Sequence, residues 1–190
     1  MSQEEIVREI GNYKLVARQN PNGGGYAGVL WRDGKKVFSA VAASLSEAFS
    51  EIEVHRSQLI YDEMALSATE PTTANQARDA FIKLSSSIHP NQLKMLRAHL
   101  HAPEQRITAR ELAAAAGYSN YSGANMQYGL LAAAFWEFCP TVLPRRKDGS
   151  IIWTCALAES GVSDFQEKDD EWVWKLRPHV AEGLALSGVL

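Results

Sequence analysis

Little in this 190-residue chain supplies an external framework. Two cysteines, Cys139 and Cys155, are too few for a disulfide scaffold and lack the spacing of a zinc site. Each has apolar neighbours, which suits a buried thiol, and a single bridge between them stays open. No apolar run approaches the roughly 20 residues of a membrane span; the most apolar stretch, residues 129–138, is short and contains Glu137. The opening MSQEEIVREI is acidic, without the basic start and apolar run of a secretory leader. The expectation is a soluble, cytoplasmic, bacterial-type protein with no membrane partner.

Motifs of catalysis are equally scarce. Gly23-Gly24-Gly25 is followed by no Gly-Lys-Ser/Thr and no helix, so it is not a phosphate loop. No Gly-x-Ser-x-Gly elbow frames a serine nucleophile, and the carboxylates of Asp164–Glu171 do not fit a calcium loop. His99 and His101 fall on different faces of a helix and cannot chelate one metal within it; both read as solvated or capping histidines. Trp153, Trp172 and Trp174 read as core or interface packing. The expectation is therefore no catalytic residue, no metal and no cofactor.

What the chain has is an uneven charge. A formal net charge of −3 splits into 7 basic and 10 acidic residues over 1–70, 8 and 4 over 71–146, and 4 and 8 over 147–190. A polyanion is thus excluded as a partner of the whole surface, but not of the middle third.

The first part reads as α-β-β-β-α. Ser2 and Glu5 form a capping box for a helix over roughly 2–10. Alternation predicts a strand over 13–18, and residues 20–25 form a turn. Asp33-Gly34 between the apolar runs 26–31 and 36–41 signals a hairpin. Ser44 and Glu47 open a helix of about 16–20 residues, with Leu45, Ala48, Phe49, Ile52, Leu59 and Ile60 on the face toward the sheet. This order resembles the topology of double-stranded-RNA-binding domains over about 60 residues. It departs from them in charge: the helix carries Glu47, Glu51 and Glu53 where that family has lysines, which disfavours RNA phosphates.

Composition marks 64–77 as linker-like. The expected division is a sheet-plus-helix domain over 1–66, a linker over 67–77 and a mainly helical domain over 78–190, an α+β protein. Helices are expected over 75–88, from Pro90 to about His101, over 109–116 and over 122–138. Strands follow over 151–155 and 172–176, joined by the acidic loop, and a last helix starts at Arg177-Pro178.

The stretch Thr108-Ala109-Arg110-Glu111-Leu112-Ala113 to Gly117 is a capped helix ending in a turn glycine. It resembles the first half of a helix-turn-helix. With two preceding helices and a following hairpin, residues 75–176 are similar to winged-helix DNA-binding domains. Gly123 departs from that pattern, standing where the family has a branched apolar residue. Residues 117–131 also show a faint likeness to helical accessory domains fused to HNH-type nucleases, which implies a restriction, defence or mobile-element setting. The resemblance implies duplex DNA as partner. Asn120, Tyr121, Ser122, Asn125, Gln127 and Tyr128 would then face base edges and phosphates, with Arg106, Arg110, Arg145, Arg146 and Lys147 gripping the backbone. The alternative is an acidic interaction protein, of the immunity or inhibitor kind, that covers a basic partner through Asp164–Glu171 and the helix over 45–61.

Overall fold

The computed structural model describes residues 4–160 and 173–190. The architecture is mixed α/β, a four-stranded antiparallel sheet followed by helices. The chain divides into two compact units, Met1–Thr69 and Glu70–Leu190. The acidic loop 164–171 and Trp172 lie outside the described residues.

The first unit consists of β1 (Glu5–Ile10), β2 (Tyr13–Gln19), β3 (Tyr26–Arg32), β4 (Lys35–Ala42) and α1 (Leu45–Ser67). The four strands form a meander in sequence order. The helix expected over 2–10 is instead β1, so the unit reads β-β-β-β-α. Gly11-Asn12 explains the difference: it joins two strands whose residues pair from Ile10↔Tyr13 to Glu5↔Arg18, and Gly11 takes a positive φ of 59°. A two-residue Gly-Asn connection between apolar-alternating runs is a hairpin signal that outweighs an unanchored capping box. The Asp33-Gly34 hairpin and the Ser44/Glu47 capping box are present.

Tyr13, Leu15, Ala17 and Leu30 point into the core against Ala48, Phe49, Ile52 and Ile60 of α1. Ion pairs pin the helix along its length: Arg8 to Glu53 at 2.9 Å and Arg32 to Glu63 at 2.5 Å. The Tyr13 hydroxyl also donates to Glu63 at 3.0 Å. Burial, then the Glu63 charge, pushes the Tyr13 phenol up to about 12.

The second unit comprises α2 (Ala74–Leu84), α3 (Pro90–His101), β5 (Arg106–Thr108), α4 (Ala109–Ala116), α5 (Tyr121–Trp136), β6 (Ala158–Ser160), β7 (Val173–Leu176) and α6 (Pro178–Ser187). Residues 74–77, expected in the linker, form the first turn of α2, capped by Thr73. The helix expected over 75–88 stops at Leu84, where Ser87 N–H closes a turn on the Leu84 carbonyl. The strand expected over 151–155 is a single bridge from Ile151 to Arg145 followed by a 3-10 turn, Trp153–Ala156. Thr154 to Ala158 are buried without a break, a pattern that a strand with one solvated face does not produce. The hairpin pairing belongs to β6 and β7, and β5 joins them in the order β5-β7-β6.

Cys139 and Cys155 are buried and are not joined in a disulfide. Helices α2 and α6 approach closely at Gly183, where an added Cβ would lie 2.6 Å from the Ala77 Cβ and 2.7 Å from the Ala74 carbonyl oxygen. Gly183→Ala is expected to cost about 2 kcal/mol by forcing these helices apart, read as a lower urea midpoint at unchanged slope.

Candidate nucleic-acid interface

Helix α4 is fixed by its caps. Thr108 accepts from Glu111 N–H at its start, and Gly117 closes it in the left-handed region at φ 76°, where a side chain would be strained. Tyr118 N–H then bonds back to the Ala113 carbonyl at 2.9 Å. The chain turns within four residues, and the Asn120 side chain caps α5 by accepting from Gly123 N–H at 3.2 Å. The helix therefore starts at Tyr121, one residue ahead of the position expected.

Helix α5 carries no charged residue. Ala124, Tyr128, Leu131, Ala132 and Phe135 form its inward stripe at helical spacing. Asn120, Tyr121 and Ser122 are exposed at its opening, and Met126 and Leu130 continue outward at 59% and 56% exposure. The inward stripe corrects the expectation for Tyr128, which is fully buried and unavailable to DNA. Gln127 is half-buried, and its carbonyl and side-chain oxygen accept from the Gln92 amide at 3.0 and 3.4 Å. Asn125 is half-buried with its side-chain oxygen turned inward, meeting no hydrogen-bond partner among the described residues. Of the polar set, the first turn alone is displayed.

The basic residues are all exposed. Arg110 lies in the first turn of α4. Arg106, on β5, is 3.6 Å from Glu104, and both side chains are exposed. Arg145, Arg146 and Lys147 sit on a tight turn whose own polar groups hold its shape. Arg145 donates to the Gly149 carbonyl at 2.8 Å, and Arg146 reaches Ser150 and the Ile151 carbonyl at 3.3 Å. Hydrogen bonds from Ser150 keep the Asp148 carboxyl below its usual range, so it stays anionic within this basic turn.

Under the middle of α5 lies a group the sequence reading missed. His99 is not solvated: it is fully buried. Its Nε2 meets the Trp174 carbonyl at 3.1 Å and its Nδ1 meets the Tyr128 hydroxyl at 2.7 Å. A carbonyl only accepts, so Nε2 carries the proton and Nδ1 accepts from Tyr128. Tyr128 in turn stacks on Trp174, with centroids 5.9 Å apart and an angle of 16°. One neutral imidazole thus ties α3, α5 and β7 together. Burial lowers its pKa from 6.5 to about 4. The signal was present: His99 continues the stripe Gln92, Met95, Leu96 on the buried face of α3.

Among the described residues, no group of three or more His, Cys, Asp or Glu is placed to hold a metal ion, and no helix is long and apolar enough to cross a membrane. No known protein family, curated protein or solved structure matches the chain.

Proposed function

We propose that the second unit is a winged-helix-like module that binds duplex DNA without catalysing a reaction, in a restriction, defence or mobile-element setting. The observation that carries this reading is the α4–Gly117–α5 turn. It displays Asn120, Tyr121 and Ser122 at the open end of a helix, while β5, β7 and β6 form a small antiparallel sheet in that order. The amide and hydroxyls suit base edges and phosphates. Arg106, Arg110, Arg145, Arg146 and Lys147 supply the charge that α5 itself lacks, so affinity comes mostly from the backbone grip and falls steeply with salt. The apolar outer surface at Met126 suits contact with thymine methyl groups better than hydrogen-bonded readout.

The acidic-surface alternative has weaker support. In α1, Glu53 and Glu63 already hold Arg8 and Arg32, and Glu47 caps its own helix, which leaves Glu51 and Asp62 as that helix's remaining carboxylates for a basic partner; Asp164–Glu171 lies outside the described residues.

Fluorescence anisotropy of the full chain with a labelled duplex of about two turns tests the proposal. Binding is expected to weaken sharply between about 50 and 200 mM salt. Changing Arg106, Arg110, Arg145 and Arg146 together to Gln is expected to lower the slope of log affinity against log salt by about four. Absence of salt-sensitive binding, or a quadruple variant that binds as the parent does, overturns the proposal.

A further inference from the structure

An antiparallel sheet with one face on a helix normally turns polar residues outward. The outer face of the β1–β4 sheet mixes polar and apolar residues instead. The register places three rows across it: Glu5, Arg18, Ala27, Val41; then Val7, Val16, Val29, Ser39; then Glu9, Lys14, Trp31, Lys36. The irregularity between Leu30 and Trp31 adds Val37 beside Lys36. Val7, Val37 and Val41 are 48%, 42% and 65% exposed. Valines in the middle row, flanked by charged rows in which Glu9 and Lys14 pair at 3.2 Å, form a surface with a polar rim and an apolar centre.

We infer that this face packs against the same face of a second copy of the chain, about a two-fold axis parallel to the strands. Charge complementarity selects both the occupant and the axis. A two-fold interface sets the same patch against itself. An axis along the strands places β1 of one copy over β4 of the other and keeps the rows aligned. Glu9 then meets Lys36, Lys14 meets Trp31, Val16 meets Val29, Val7 meets Ser39, Glu5 meets Val41 and Arg18 meets Ala27, each twice. An in-plane axis across the strands reverses the rows instead, setting Glu5 on Glu9 and Arg18 on Lys14; like charges repel in both pairs. The first axis sets opposite charges together and no like charges face to face, whereas the second sets like charges on each other. Four strands of this length span roughly 24 by 19 Å. That is smaller than the about 800 Å² per partner of a standard interface, so a weak dimer that dissociates on dilution is expected.

Sedimentation velocity of the full chain over a concentration series tests this. A monomer–dimer equilibrium is expected. Glu9→Lys and Lys36→Glu should each weaken it about tenfold through two like-charge contacts, and the double variant should restore it. Val16→Asp, near the axis, should abolish it, with circular dichroism confirming that every variant is folded. A monomer at all concentrations overturns the inference, whether the face is covered within the chain or serves another protein. So does a dimer indifferent to these substitutions, or a double variant no stronger than the singles.

Discussion

Replacing Gly28 by valine is expected to unfold the first unit. Gly28 sits on β3 opposite Ala17 of β2 and Ala40 of β4, on the face toward α1. A Cβ there would lie 2.3 Å from the Ala48 carbonyl oxygen and 3.0 Å from the Ile52 Cγ2. The first contact is with helix backbone, which has no rotamer to yield. Either α1 lifts from the sheet or the strand bends away, and both separate Leu15 and Leu30 from Ile52. Alanine alone is expected to cost about 3 kcal/mol, at the upper end of overpacking effects. The branched side chain should exceed about 4 kcal/mol, a large share of the stability of a domain of this size. Thermal unfolding followed by circular dichroism reads the difference. A Gly28→Val protein that melts within a few degrees of the parent contradicts the close approach of α1.

The second large effect is on pH dependence. The unfolded chain protonates His99 with a pKa near 6.5, whereas the folded chain resists until about 4. Between these values the unfolded state binds more protons, so stability is fully present above pH 6.5 and is lost as pH falls. The expected loss is about 2 kcal/mol between roughly pH 7 and pH 5. His179, lowered by burial and then by Arg177, adds to the loss with the same sign. Tyr128→Phe leaves Nδ1 without its donor and should itself cost about 1–3 kcal/mol at neutral pH. Urea unfolding of both proteins across this pH range checks the assignment; an unfolding free energy that stays flat from pH 7 to 5 contradicts a buried neutral His99.

The elements legible in the sequence were those with local chemical signatures. The Ser44/Glu47 and Thr108/Glu111 boxes, the Asp33-Gly34 turn, Pro90 and Gly117 each act within a few residues, and the structure has an element boundary at each. Strand β1 was misread because two local signals competed. The capping box of Ser2 and Glu5 needs no partner strand, whereas the Gly11-Asn12 hairpin reveals itself only once β2 is counted beside it. The 153–156 turn was hidden for another reason: a run of consecutive apolar residues has no period, and tertiary burial chose between strand and 3-10 turn.

At the candidate interface the exposed arginines and the first turn of α5 were readable from composition and capping. The inward position of Tyr128 follows from its three- and four-residue spacing to Ala124, Leu131, Ala132 and Phe135, a signal present in the sequence wherever the helix starts. His99 was read from its nearest neighbour, His101, when the informative neighbours were Met95 and Leu96, one helical turn away.

Hydrogen–deuterium exchange of the full chain with and without duplex DNA tests the central claim most directly. The account predicts slowed exchange confined to residues 106–111, 118–126 and 145–151, with the backbone beneath Tyr128 already protected and unchanged. Protection elsewhere, with all of these segments exchanging as in the free protein, contradicts it.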